Sequence, residues 1–215
     1  MFSINTGIGT ELSSKIIPED QVDQLNVNLV RSHAVGVGEA LSPALTRSLL
    51  AMQINGYALG YKGVSQGTVR KCLAALNANC LPVVPVKGTV GCHDLAQLSH
   101  LALGLMGEGK MWKQTNQDEW VIEEADHVLK EYNLIPIIMK AGEALPCING
   151  TNFVACLAAE AINRARILVE TADVVAAMSI EGLVGTQAAF DKDIHNARPH
   201  NGQIKVKFDP IFQSC

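Results

Sequence analysis

Asn149-Gly150-Thr151-Asn152-Phe153-Val154-Ala155-Cys156-Leu157 opens a stretch that continues to Glu181 with no further glycine or proline. Within it Phe153, Leu157, Ala161, Ala165, Leu168, Ala172, Val175 and Met178 recur at helical spacing and fall on one face. A helix of that length exceeds the usual globular one and reads as a member of a bundle. Its alanines let neighbouring helices approach closely. The whole chain agrees: of 215 residues, 48% are hydrophobic, 18% charged and 5% aromatic, the apolar share being mostly Ala, Leu, Val and Ile. That composition predicts a mainly α protein with a substantial core and excludes a disordered chain. A net charge of −4 leaves no basic footprint, so no nucleic acid and no anionic membrane surface is expected as a partner.

Two further classes drop out. No run approaches the roughly 20 apolar residues that cross a bilayer, so no membrane is expected. Met1-Phe2-Ser3-Ile4-Asn5 has neither the basic nor the apolar region of a secretory leader. Cys72, Cys80, Cys92, Cys147, Cys156 and Cys215 form no C-x-x-C pair and lie scattered among apolar residues. They read as reduced thiols of a cytoplasmic protein, not as a disulfide framework.

Pro18-Glu19-Asp20 opens a helix carrying Val22, Leu25 and Leu29, which Gly36 and Gly38 close. Ser42-Pro43 is a helix cap followed by proline at the first helical position, and the helix runs on through Leu45, Leu49, Leu50, Ile54 and Tyr57 toward Gly60. Ser65 caps a third helix with Val69, Cys72, Leu73 and Leu76. Leu81-Pro82-Val83-Val84-Pro85-Val86-Lys87-Gly88 cannot be helical through its prolines and is expected to be extended. A fourth helix starts near Asp94 and turns Leu95, Leu98, Leu101, Ala102 and Leu105 inward; a fifth spans Glu123 to Tyr132. Leu134 to Met139 and Ile204 to Phe208 read as short strands.

Single motifs point nowhere in particular. Asn5-Thr6-Gly7-Ile8-Gly9 and Gly36-Val37-Gly38 lack a third spaced glycine and read as tight turns, not nucleotide loops. Cys92-His93-Asp94 contains the residue types of a nucleophilic triad, but consecutive side chains diverge. Cys92, His93 and His100 lack the paired spacing of a zinc site, so no metal is expected. Asp94 then reads as the cap of the helix that follows it, and His33 as a polar residue satisfied near a helix end; His195 and His200 could be ligands, but surface or structural hydrogen bonding is the safer reading.

Longer segments carry a resemblance. Val27 to Gly38 holds S-H-x-x-G-x-G from Ser32 onward. Gly88-Thr89-Val90-Gly91 precedes Asp94-Leu95-Ala96-Gln97-Leu98-Ser99-His100-Leu101-Ala102, then come Ile148-Asn149-Gly150-Thr151 and the late block Ala189 to His195 with Arg198 to Gln203. In this order the segments resemble the aromatic amino acid ammonia-lyases, closest to their histidine-specific members, over essentially the whole chain. The resemblance implies an ammonia-lyase-like N-terminal active-site domain over 1–148. Over 149–215 it implies the first long helices of a central helical bundle, with a few short strands in the whole. It also implies the family reaction, non-oxidative deamination of L-histidine to urocanate and ammonia in histidine catabolism, in a homotetramer whose sites draw on several subunits. That chemistry must remove a weakly acidic β-proton and a poor leaving group, so it needs an electrophile and a placed base. The family makes its electrophile, methylidene-imidazolone, from its own Ala-Ser-Gly.

Three catalytic positions carry over by resemblance. His33 matches the histidine that binds or protonates substrate, Asn149 the asparagine that polarises the electrophile, and Asp94 the supporting aspartate after the triplet. The departures fall on the reacting groups themselves. Between Gly91 and Asp94, where the family has three residues, stand only Cys92 and His93, with no hydroxyl to eliminate and no glycine for ring closure. Phe2 stands at the position of the family's tyrosine base and cannot take a proton. Asn152 replaces a glutamine common in the histidine enzymes. Family chains are expected to be about twice this length. No cofactor is therefore expected in this chain. Three readings remain: a lyase homologue that is inactive as it stands, a regulatory pseudoenzyme that self-associates or joins a full-length homologue, and the product of a truncated or decayed gene.

Overall fold

Pro18 fixes the chain just ahead of a short 3-10 turn, Glu19–Gln21, which leads into α1 (Val22–His33). The computed structural model describes residues 6–8, 15–115 and 119–207. Two compact units divide the chain, Met1–Leu157 and Ala158–Cys215.

Caps decide the next two helices. Ser42 Oγ accepts from the Leu45 N–H at 3.3 Å and Pro43 takes the first helical position of α2 (Pro43–Ala58). Ser65 Oγ accepts from the Thr68 N–H at 3.3 Å to start α3 (Gln66–Asn77). Between α1 and α2 lies β1 (Val37–Ala40). The proline-rich run is extended, as its sequence requires, and splits into β2 (Leu81–Pro82) and β3 (Pro85–Lys87). These join different sheets: β3 pairs antiparallel with β1, while β2 edges a sheet ordered β2-β4-β5 with β4 (Lys110–Gln114) and β5 (Trp120–Glu124).

The hub of the first unit is α4 (Leu95–Leu105). Its Leu98, Leu101, Ala102 and Leu105 are buried with Val30 of α1, Leu49 and Leu50 of α2, Leu81 of β2 and Met111 of β4. Gly104 brings α4 against β2 so closely that a Cβ there would lie 2.6 Å from the Pro82 Cβ. The unit continues with α5 (Ala125–Glu131), α6 (Ala144–Ile148) and the first turns of α7 (Asn152–Gly182), whose Phe153 and Cys156 are buried.

In the second unit the remainder of α7 is followed by a 3-10 turn, Gln187–Phe190, then α8 (Lys192–Ala197) and α9 (Asn201–Lys207). Ala177 is buried there, but Leu168, Val175 and Met178 of the expected apolar stripe are 70%, 55% and 67% exposed. His195 is buried, and neither ring nitrogen finds a hydrogen-bond partner among the described residues, contrary to the structural bonding expected of it.

Several expectations are corrected. Leu134 to Met139 is not a strand: Pro136 lacks an N–H, and one backbone bond, Ile137 N–H to Leu105 O at 2.8 Å, ties it to α4. Ile204 lies in α9, not in a strand, and Phe208 is outside the described residues. Glu123 and Glu124 belong to β5, so the fifth helix begins only at Ala125; cross-strand pairing of Met111 with Glu123 and Trp112 with Ile122 overrides the helical spacing. The 144–182 stretch is long and apolar enough to cross a membrane by length and composition, against the reading that no run approaches this. Within it the Asn149-Gly150-Thr151 break and the exposed pairs Arg164–Glu160 and Arg166–Glu170 favour water.

Candidate functional site

Asp94 is the fixed point of the site. It takes the N-cap position of α4, as expected, with its main-chain oxygen accepting from the Leu98 N–H at 2.9 Å, but its side chain makes no bond to that helix. It has no exposed surface, and its Oδ2 instead accepts from the N–H groups of Phe153 at 2.9 Å and Val154 at 3.1 Å, the first turn of α7. Those N–H groups have no partner within their own helix, and the helix dipole favours a carboxylate there. Asp94 Oδ1 accepts from the Thr89 hydroxyl at 2.9 Å, and the Asp94 N–H donates to Gly150 O at 2.9 Å. One residue thus joins the 88–94 loop, α4 and the Asn149-Gly150-Thr151 turn.

The loop before Asp94 is closed on itself. The Thr89 hydroxyl lies 3.0 Å from His93 O and accepts from the Gly91 N–H at 3.1 Å. Gly91 adopts φ +86°, a conformation glycine takes without strain. Gly88 is required by closeness: a Cβ would sit 2.7 Å from the Ala96 Cβ. Cys92 and His93 occupy the exposed tip. Among the described residues no group of three His, Cys, Asp or Glu side chains could hold a metal ion.

His33 ends α1 with Nδ1 2.9 Å from Leu29 O. A carbonyl only accepts, so Nδ1 is the donor in this contact; Ser32 Oγ also lies 3.1 Å from Nδ1. The ring borders a cleft of about 530 Å³ whose wall also includes Lys15, Asn28, Ser32 and the apolar Ile17 and Leu25. Gly36, three residues on, donates its N–H to His100 Nε2 at 3.1 Å, which links the His33 segment to α4.

Asn149 caps the end of α6 and its side chain is exposed. Asn152 Nδ2 donates to Gln53 Oε1. Gln53 is a buried polar residue on the inner face of α2; its Nε2 donates to Cys147 O at 2.5 Å, and its Oε1 also accepts from Lys62 Nζ at 3.3 Å. The Lys62 ammonium lies 5.5 Å from the Tyr57 ring centre, and burial lowers its pKa. Nearby, burial pushes the Cys147 thiol up to about 11 and Cys72 up to about 12, so both are protonated at neutral pH. Glu143 accepts from Ser65 N–H at 2.8 Å, Thr68 Oγ1 at 3.1 Å and Lys140 N–H at 3.2 Å. Burial alone would raise its pKa, but these donors outweigh burial and hold the carboxyl below its usual value.

Of the residues named from sequence, Asp94 and the Asn149 turn are brought together, Cys92 and His93 stand exposed beside them, and Phe2 lies outside the described residues. Gln53 and His100 were not foreseen as structural ties. A polar residue within an apolar helical face was the signal for both.

Comparison with known proteins places this geometry. The family model described as aromatic amino acid lyase matches residues 1–207. Histidine ammonia-lyase from Bos taurus is 49% identical over 97% of this chain and 31% of its own length, and the Homo sapiens protein gives the same values. The crystal structure of histidine ammonia-lyase from Trypanosoma cruzi superimposes with a TM-score of 0.88 at 44% identity, covering 96% of this chain and 39% of that one. The chain thus spans about a third of the length of the curated relatives it matches, less than the half expected from its motifs.

Proposed function

The chain belongs to the aromatic amino acid lyase family, and we propose that it keeps the histidine ammonia-lyase scaffold without the group that drives the family reaction. The observation that carries this reading is the 88–94 loop. Two residues, Cys92 and His93, connect Gly91 to Asp94, and the 215-residue sequence contains no Ala-Ser-Gly. Asp94 N–H is fixed to Gly150 O, and Thr89 draws Gly91 and His93 together, so the loop is closed without a third residue. Methylidene-imidazolone does not fit these residues.

L-Histidine, the family substrate, is then a ligand rather than a reactant. His33 is held through Nδ1, which leaves Nε2 for a ligand, and the exposed Asn149 amide offers a donor and an acceptor. The purified chain is expected to have the intact mass of its unmodified sequence. Loss of two waters from the peptide that spans residues 88–94 would contradict the reading.

The exposed Leu168, Val175 and Met178 of α7 favour a second element: a regulatory, non-catalytic subunit that self-associates or joins a full-length homologue. Co-expression with an intact histidine ammonia-lyase, followed by size exclusion and mass determination, tests it. A mixed assembly is expected; a stable monomer that binds no hydrophobic dye contradicts it.

A further inference from the structure

We infer that His100 is a positioning residue: as a neutral imidazole it ties the segment carrying His33 to α4 at the base of the 88–94 loop, and a proton on that ring releases the tie. The Gly36 N–H donates to His100 Nε2 at 3.1 Å. An acceptor at Nε2 requires the ring proton on Nδ1, and a second proton has no place to go except the nitrogen that Gly36 already occupies.

The contact is close on every side. A Cβ at Gly36 would lie 3.2 Å from His100 Cδ2 and 3.2 Å from Lys87 O, so the ring packs directly on the glycine backbone. A Cβ at Gly88 would lie 3.3 Å from Gly36 Cα and 3.0 Å from Gln97 Nε2. The 32–38 segment, the start of the 88–94 loop and α4 therefore cross at one point, and His100 is the titratable group hydrogen-bonded there.

Among the described residues His100 makes no ion pair. Lys87 of β3 presents its main-chain oxygen to Gly36 and runs its side-chain stem along Gly38. Arg31 of α1 is paired with Glu108 at 2.7 Å, and His33 is bonded through Nδ1 to Leu29 O. No carboxylate pairs with His100 among the described residues. Burial lowers its pKa. The effect on a bound ligand rests on the site proposed above; the tie itself does not depend on turnover or on ligand.

The test compares the whole chain with His100→Gln, which keeps an acceptor near the Nε2 position but does not titrate, and His100→Leu, which removes the acceptor. Hydrogen exchange of the Gly36 amide, corrected for intrinsic rate, and the ring resonances of His100 are followed by NMR between about pH 5 and pH 8. In the wild-type chain, protection of Gly36 is expected to fall about tenfold toward the acid end, in step with the His100 ring signals. His100→Gln is expected to hold protection level across the range. His100→Leu is expected to be unprotected throughout. Wild-type protection that ignores pH, or a His100→Gln variant that shows the wild-type pH dependence, overturns the inference. The wild-type and His100→Gln pair decides it even if His100→Leu does not fold.

Discussion

Asp94 has no exposed surface, and its carboxylate is enclosed by the Thr89 hydroxyl and two N–H groups of α7. Cys92 and His93, immediately before it, are exposed, and the main-chain oxygen of His93 is bonded to the Thr89 hydroxyl. The two regions are adjacent in sequence yet answer to different physics. The anchor is a buried charge whose loss leaves several donors unsatisfied, so it is tightly constrained by stability. The tip touches little, so its residues can change without cost to the fold. A family scaffold can therefore persist while the residues at this tip change.

Substitution separates anchor from tip most strongly. Asp94→Ala is expected to cost about 3–5 kcal/mol in denaturant unfolding, because it uncaps α7 and strands Thr89. Cys92→Ala and His93→Ala are expected to stay within about 0.5 kcal/mol. A small effect at Asp94, or a large one at the tip, breaks the comparison. The same contrast holds between the two units. Leu98→Ala, at a fully buried position, is expected to cost about 2–5 kcal/mol, and Leu168→Ala almost nothing in the isolated chain.

A smaller effect concerns Glu143, which clamps the start of α3 to the 140–143 turn. Its folded pKa lies below its ordinary value, so its contribution is present above about pH 4.3 and is lost as pH falls through the folded value. Glu143→Gln is expected to cost about 1–3 kcal/mol at neutral pH and to flatten stability in that acid window. Smallest is the effect on reactivity. In the native chain a thiol reagent mapped by peptide mass is expected to modify Cys92 and to spare Cys72 and Cys147, whose burial keeps them protonated. Rapid labelling of Cys147 would show that the core near Gln53 opens.

The helices that announce themselves by local chemistry were legible: Ser42-Pro43 and Ser65 start α2 and α3 where their caps require, and the prolines of 81–88 enforce extension. Pairing across distance was not. The β4–β5 hairpin depends on cross-strand contacts that outweigh the helical spacing near Glu123, and Ile135 and Ile138 are β-branched but exposed beside Pro136. Asp94 was recognised as the residue that opens α4; that its side chain serves α7, 59 residues away in sequence, is a tertiary fact. The site residues came from motif order, and the buried amide of Gln53 and the ring of His100 came only from geometry.

The central claim is that the scaffold stands while the reaction does not run. The direct measurement is urocanate formation by the purified full chain incubated with L-histidine, followed by absorbance over many potential turnovers. No urocanate above the protein-free control is the predicted result. Sustained production that scales with the chain's concentration and persists after removal of any co-purifying homologue would contradict it.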